Sequence, residues 1–186
     1  GSLQNISGPP ILKTSMINSR YFADPNNNIV YLTGSHTWEN LQDAAYTDPP
    51  SAFPYTNFLD ILQANNHNFF RLWAWEQAKW QTETTSDWFI GPLPYQRTGP
   101  GNANDLKPKF DLNQFNQAYF DRMRQRIIDA GNRGMYVSVM LFDGWSVETK
   151  GRVGNPWPGH PMNANNNING INGDLNSDGN GIEIHT

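Results

Sequence analysis

The sequence predicts an α/β fold, amounting to about the first three to four βα units of a (β/α)8 TIM barrel behind a short N-terminal β-hairpin. Three apolar segments, at 29–33, 68–73 and 135–142, have the length of buried strands, and polar and aromatic residues follow each of them. Parallel strands bring their C-terminal ends to one edge, where α/β proteins place their sites. No Gly-x-Gly-x-x-Gly or Walker-type loop follows any of the three, which excludes the nucleotide-binding form of the fold.

The chain is predicted to consist of an N-terminal arm over 1–18 and one barrel-type domain over 19–186. The arm carries Pro9 and Pro10 and has no clear period. Residues 21–24 and 29–33 then have the pattern of two strands joined by an Asp-Pro-Asn-Asn-Asn turn, whose residues tolerate the backbone angles that a turn requires.

A helix is predicted over 55–64, because Phe58, Ile61 and Leu62 share one helical face. The polar residues 65–67 end this helix and lead directly into the strand that begins at Asn68. A strand, a helix and a second strand with short joints imply parallel, right-handed pairing.

The spacing of apolar residues predicts two long loops and one further helix in the rest of the chain. Residues 77–109 show no period but many aromatic residues, which predicts an ordered functional loop. A second helix is predicted from a cap at Asp111 or Asn113 to about Asn132. The segment after Trp145 is rich in Gly, Pro and Asn, and is predicted to form a long loop above the third strand.

Composition excludes several classes of function. The net charge of −4 and the pI near 5.5 argue against nucleic acid, which requires a clustered basic face. No apolar run reaches the ~20 residues of a membrane helix, so no membrane partner is predicted. The chain has no cysteine, which excludes disulfides, thiolate metal sites and cysteine nucleophiles. Seven tryptophans instead indicate flat, hydroxylated ligands such as sugars.

Candidate binding residues cluster where the three predicted strands end. Aromatic rings, an imidazole, a guanidinium and a carboxylate are the groups that hold sugar rings and hydroxyls. The residues predicted to bind substrate are His36, Trp38, Arg71, Trp73, Trp75, Asp143 and Trp145.

Glu39 and Glu76 are the candidate catalytic residues, since each lies just beyond one of two adjacent strands. Glycoside hydrolysis uses two carboxyl groups about 5 to 9.5 Å apart. As alternatives, Glu39 caps a helical turn, and Glu76 pairs with Arg71 or Lys79.

Residues 174–181 match the first half of a calcium loop, with oxygen ligands at Asp174, Asn176 and Asp178 and a glycine at the turn. His185 stands where the loop's last glutamate is expected, and Glu183 is a substitute for it. A plain Asx-rich turn is the alternative. The four histidines lack metal-ligand spacing, so zinc is excluded, and no other cofactor is predicted.

Three segments together resemble cellulase-like and apiosidase-like glycoside hydrolases: YLTGSHTW at 31–38, NFFRLW at 68–73 and YVSVMLF at 136–142. The resemblance covers about 19–186 and extends over the first three strands of that barrel. It implies that Arg71 orients the catalytic nucleophile and that the aromatic residues line sugar subsites. It also implies a bacterial extracellular or periplasmic hydrolase whose acid/base and nucleophile glutamates lie beyond Thr186, so that this chain binds carbohydrate but is inactive alone.

Two other functions stay open from the sequence. A non-catalytic carbohydrate-binding module would use Trp73, Trp75, Trp80 and Trp145 as a stacking platform. A structural half-barrel would bind no ligand. Because an incomplete barrel exposes two sheet edges and an apolar interior, a homo-oligomer, or completion by a missing C-terminal half, is also expected.

Overall fold

The computed structural model describes residues 8–81, 86–151 and 154–186. The first seven residues of the predicted arm lie outside the described residues, as do four residues of the predicted 77–109 loop. Contacts divide the chain into two units: Gly1–Thr37, Pro54–Leu72 and Met123–Val139 form the first, and Trp38–Phe53, Trp73–Arg122 and Met140–Thr186 form the second. Within the described part, no helix is long and apolar enough to cross a membrane.

The described residues form two α-helices, nine strands and several single 3-10 turns. The helices are α1 (Tyr55–Ala64) and α2 (Gln117–Gly131), the latter divided between the two units at Met123. The strands are β1 (Lys13–Thr14), β2 (Phe22–Ala23), β3 (Asp43–Ala45), β4 (Phe69–Leu72), β5 (Lys79–Gln81), β6 (Asp87–Gly91), β7 (Tyr95–Asn102), β8 (Pro108–Phe115) and β9 (Tyr136–Val139).

The first unit contains α1 and two small sheets. Strands β1 and β2 pair antiparallel, whereas β4 and β9 pair parallel with Phe69 opposite Tyr136. The predicted helix at 55–64 is confirmed, although its buried face is formed by Tyr55, Leu59 and Leu62. The helix packs on β4 through aromatic edges, since the Phe58 and Phe70 rings meet at right angles 5.3 Å apart.

The segment predicted as the first strand pairs only through an isolated antiparallel bridge between Ile29 and Ala23. At its end, the Thr33 carbonyl accepts hydrogen bonds from the N–H groups of Asn68 and Phe69, at 3.0 and 3.1 Å. The chain then passes so close that a Cβ on Gly34 would lie 1.6 Å from the Phe69 carbonyl oxygen. Only glycine fits this crossing.

The predicted partial (β/α)8 barrel is wrong. The described residues form a small mixed α/β fold in which only β4 and β9 are parallel and the other three sheets are antiparallel. Apolar runs identify buried strands, but they do not specify which strands pair. The strands between β4 and α2 pair antiparallel, and the one further parallel contact among the described residues is an isolated bridge between Phe110 and Asn167. The expected homo-oligomer depended on an incomplete barrel and stays a prediction.

The second unit is built on two antiparallel sheets, one of order β3-β6-β5 and the other formed by β7 and β8. These strands replace the long loop predicted over 77–109. The β7–β8 pairing contains register shifts, which break the alternation that sequence periodicity relies on. Strand β8 also occupies the predicted start of the second helix, and α2 begins only at Gln117. The core of this unit consists of Trp75, Ala78, Trp80, Ile90, Leu93 and Phe110.

The asparagine-rich segment after residue 160 is held by its own amide groups. The buried Asn167 side chain donates to the carbonyls of Pro161, Asn163 and Ile171 at 2.9 to 3.1 Å. Asn166 joins the segment to β8, because its carbonyl accepts from the Phe110 N–H at 2.8 Å. Polar side chains thus order this predicted loop in place of an apolar stripe.

Tyr55→Phe is expected to reduce the free energy of unfolding of the first unit by about 1 kcal/mol, the net contribution of one buried hydrogen bond. The Tyr55 hydroxyl donates to the Arg126 carbonyl at 2.7 Å, and the Arg126 guanidinium lies 4.6 Å from the centre of the same ring. Urea denaturation would measure the loss. Tyr31→Phe is the matched control, since Tyr31 is largely exposed. Equal losses in the two variants would contradict a specific role for the Tyr55 hydroxyl.

Candidate functional site

The candidate site is centred on Glu76, which lies in the segment between β4 and β5. Two fully buried amides from the segment before β3 hold this stretch. Gln42 accepts from the Trp75 N–H at 2.7 Å and donates to the Trp75 carbonyl at 3.0 Å, while Asn40 accepts from the Trp73 N–H at 2.8 Å. The side chains of Asn40 and Gln42 therefore take the place of a neighbouring strand, and they fix the backbone that leads into Glu76.

Three groups from the last third of the chain surround the Glu76 carboxylate. Oε2 lies 2.9 Å from Nε2 of His160 and 3.3 Å from Nε2 of His185, and Oε1 accepts a hydrogen bond from the Asp143 N–H. The Met162 N–H donates to Nδ1 of His160 at 3.1 Å. Because Nδ1 is an acceptor, the hydrogen of the neutral His160 ring is assigned to Nε2, which donates it to Glu76.

His160 is oriented by the 3-10 turn that precedes it, Trp157–Gly159. The Trp157 ring stacks on the imidazole with centroids 5.1 Å apart, and the turn packs against β5 so tightly that a Cβ on Gly159 would lie 1.8 Å from the Lys79 carbonyl oxygen. The Asn166 amide binds the His160 carbonyl at 2.8 Å. The Trp157 ring and the Asn166 amide thus fix the position of His160 before a ligand binds.

The two carboxyl groups of the cluster are shifted in opposite directions. Burial alone would raise the pKa of Glu76, but the hydrogen bonds from His160 and from the Asp143 N–H outweigh burial and hold that pKa below its usual value. Burial raises the pKa of Asp143, against the opposing hydrogen bonds from Ser146 and the Trp145 N–H. Glu76 is therefore ionised at neutral pH.

A pocket of about 120 Å³ opens beside Glu76. The carboxylate and the two imidazoles supply its polar lining, and Tyr95, Phe142 and neighbouring apolar side chains supply the remainder. Leu141 and Phe142 are 73% and 72% exposed, so the aromatic wall is open to solvent on one side. This arrangement can accept hydrogen bonds from hydroxyl groups while an apolar face packs against the wall.

The tryptophans predicted to stack on a ligand stack mainly on one another. Trp75 and Trp80 are 7% and 8% exposed, and their ring centroids are 5.5 Å apart. Trp145 meets both rings edge-on, at 5.2 and 5.1 Å, and Trp73 lies 5.9 Å from Trp75. A platform made by these four residues would have to expose the two rings at its centre, which the structure buries in the core of the second unit.

The other predicted site residues are not among those that line the Glu76 pocket. His36 and Arg71 are exposed and belong to the first unit, Trp38 is exposed in the second, and Glu39 is partly buried. Asp143 is buried and caps the 3-10 turn that carries Trp145, accepting from the Trp145 N–H at 3.1 Å. Of the two partners proposed for Glu76, Lys79 instead pairs with Asp87 at 2.8 Å.

Sequence reasoning missed the two histidines that hold Glu76. His160 and His185 lie 84 and 109 residues beyond it, in segments without a helical or strand period. A spacing search finds ligands within one motif, so groups this far apart give no local signal. The one available signal was the Trp-Pro-Gly-His sequence at 157–160, where glycine and proline fix a turn before an ionisable residue.

The predicted calcium loop is closed by hydrogen bonds among its own groups. The Asp174 carboxylate accepts from the N–H groups of Asp178 and Gly179, both at 3.0 Å, and the Asn176 amide donates to Glu183 at 2.8 Å. Among the described residues, no group of three or more His, Cys, Asp or Glu side chains is placed to hold a metal ion. These contacts describe the Asx-rich turn named as the alternative, and calcium binding stays a prediction.

Comparison with known proteins assigns no family to this chain. It matches no protein-family model, and no curated protein or solved structure is significantly similar to it. The resemblance to cellulase-like and apiosidase-like hydrolases therefore stays a prediction from three short segments. The function has to be argued from the site itself.

Proposed function

We propose that the second unit binds carbohydrate, with Glu76 as the acceptor for sugar hydroxyls. The observation that carries the proposal is an ionised, partly buried carboxylate beside an exposed aromatic wall in one pocket. Sugars present hydroxyl donors around the ring edge and C–H groups on the ring face, so they match both parts of such a pocket. The prediction of carbohydrate binding thus moves from the tryptophans to Glu76, Tyr95 and Phe142.

His185 gives the pocket a second polar group. Its Nε2 faces Glu76 at 3.3 Å, and its ring meets the Phe142 ring at a centroid distance of 5.9 Å. An imidazole donates or accepts according to its tautomer, so His185 can pair with a hydroxyl in either sense. His160 by contrast is committed to Glu76 and Met162 and serves to position the carboxylate.

We assign binding rather than bond cleavage to this cluster. Two carboxyl groups with pKa values shifted apart are what an acid–base pair needs, and Glu76 and Asp143 meet that condition. However, Asp143 is 4% exposed, and its two oxygens accept from the Trp145 N–H and the Ser146 hydroxyl. A group enclosed in this way does not reach a glycosidic oxygen.

Titration of the chain with a panel of neutral mono- and oligosaccharides, followed by calorimetry, tests the proposal. Glu76→Gln is expected to weaken binding about 10- to 100-fold, since a hydrogen bond to a charged group contributes roughly 1.5–3 kcal/mol. Glu148→Gln is the matched control, because Glu148 makes a surface pair with Lys150. The proposal fails if no sugar binds, or if the two variants bind as tightly as the parent chain.

A further inference from the structure

A second cavity of the second unit is separate from the cluster around Glu76 and has a volume of about 690 Å³. We propose that this cavity, the β6–β8 cleft, binds a neutral oligosaccharide of several units, of which only one unit reaches the Glu76 pocket. This inference rests on the proposed function, and it specifies the carbohydrate as a neutral oligosaccharide. The cleft is lined by Asp43, Pro50, Leu93, Arg97, Phe110 and Arg122, among others.

Size separates the roles of the two cavities. Small-molecule sites occupy about 300–1,000 Å³, a range that includes the cleft and exceeds the Glu76 pocket of about 120 Å³. The pocket therefore suits one ring or one substituent, and the cleft suits a longer piece of ligand. Tyr95 lines both cavities.

The charges of the cleft favour a neutral ligand. Each basic side chain that lines it is already paired with a carboxylate, so an ionic ligand would have to displace a partner, whereas a neutral polyol can add to the existing pairs. The pairs are Arg97 with Asp105, Lys107 with Asp48, and Arg122 with Asp43.

The cleft keeps hydrogen-bonding capacity beside these pairs. Both hydrogen bonds that Arg122 donates to described residues come from Nη1, to Asp43 at 2.8 Å and to the Gly91 carbonyl at 3.5 Å. Its Nη2 and Nε N–H groups remain for a ligand. The side chain of Gln96 is exposed, and its Nε2 donates a hydrogen bond to the Phe115 carbonyl at 3.2 Å. The side-chain carbonyl oxygen of Gln96 can accept a hydrogen bond from a ligand.

The apolar part of the cleft that a sugar face can reach is the proline pair Pro49 and Pro50. Leu93 and Phe110 also border the cleft, but they belong to the buried core of the unit and support the lining from behind. The Arg97 guanidinium covers this core, with its central carbon 3.9 Å from the centre of the Phe110 ring. Polar groups that flank an ordered apolar surface hold sugars without a large cost in side-chain ordering.

The test compares the binding of neutral gluco- and manno-oligosaccharides of two and of six units by calorimetry. Arg122→Lys keeps a cation beside Asp43 but removes the planar fork, and Gln96→Trp fills the cleft from an exposed position. Both variants are expected to weaken hexasaccharide binding and to leave disaccharide binding unchanged. For Arg122→Lys the expected loss is about tenfold, because charged hydrogen bonds are removed. Arg124→Lys, an exposed arginine of the same helix, is the matched control.

The possible results separate this inference from the proposed function. If Glu76→Gln loses binding and both cleft variants bind the hexasaccharide normally, the cleft inference is overturned and the proposed function stands. If the cleft variants lose binding and Glu76→Gln does not, the Glu76 proposal fails and the cleft stands. Preference for uronic-acid oligosaccharides over neutral ones would overturn the neutral ligand class. Thermal unfolding of each variant shows whether a loss of binding is caused by a loss of folding. If Arg122→Lys is unstable, the result for Gln96→Trp decides the test.

Discussion

Gly159→Ala is expected to destabilise the second unit by about 3 kcal/mol or more and to abolish carbohydrate binding. A methyl group at this position would lie 1.8 Å from the Lys79 carbonyl oxygen and 2.8 Å from the attached carbon. The clash is with backbone, so no side-chain rotation relieves it. The turn and β5 must separate, which breaks the hydrogen bond from the Ala78 N–H to the Gly159 carbonyl at 2.9 Å and moves the adjacent His160.

Urea denaturation and the sugar titration together measure this effect. Gly91→Ala is the matched control for the denaturation, since a Cβ on Gly91 meets nothing within 4 Å. It should unfold within about 1 kcal/mol of the parent chain, because a surface substitution without a clash changes stability little. If Gly159→Ala unfolds like the control, the close approach of the turn to β5 is not a feature of the protein in solution.

Glu76→Leu is expected to reduce the free energy of unfolding by about 3 kcal/mol at pH 7. The variant leaves the Asp143 N–H and the Nε2–H of His160 without the carboxylate that accepts them. Each orphaned buried donor costs about 1–3 kcal/mol. Glu76→Gln restores one acceptor, so its free energy of unfolding should fall less than that of Glu76→Leu.

The pH dependence follows from the direction of the Glu76 shift. A carboxyl group whose pKa is lowered by folding stabilises the fold above its usual value of 4.5, and the stabilisation is lost as the pH falls from there through the lowered value. The parent chain should therefore lose stability below about pH 4.5 relative to Glu76→Leu, so that the difference between the two narrows in acid. The raised pKa of Asp143 acts in the opposite sense. Burial is its main cause in both proteins, but the Glu76 charge also raises it, so the Asp143 shift is smaller in Glu76→Leu than in the parent chain.

Denaturation curves at pH 7, 5 and 3.5 check both statements. Glu148→Gln again serves as the control, because its surface ion pair should contribute less than about 1 kcal/mol at any of these values. A constant difference between the parent chain and Glu76→Leu across this range would show that Glu76 does not ionise differently on folding.

Local elements of this fold could be predicted from the sequence, but their assembly could not. The helix at 55–64 and the buried segments containing β4 and β9 follow from apolar spacing, which is a property of each segment alone. The pairing of β7 with β8 depends on a register with bulges, and glycine and proline in β7 conceal it from propensity. The barrel prediction failed at this point, because it extended the parallel pairing of two strands to a region that forms hairpins.

The same limit applies to the candidate site. Glu76 and Asp143 were found because each follows an apolar run, and the structure brings them together through one hydrogen bond. The tryptophans were assigned to a ligand because the sequence cannot distinguish a ring that faces solvent from one packed on Trp75. Nor does the sequence reveal that Arg126 of α2 is buried against the Tyr55 ring.

The long separation between Glu76 and its partners has a consequence for the order of events during synthesis. Glu76 leaves the ribosome 84 residues before His160 and 109 before His185, which is about 5 to 20 s at ordinary elongation rates. The carboxylate has none of its donors until Asp143 emerges, 67 residues after Glu76, and it lacks both imidazoles for the whole of that interval. The nascent chain therefore cannot close the core around Trp75 without enclosing an unmatched charge, and the second unit should complete its folding late.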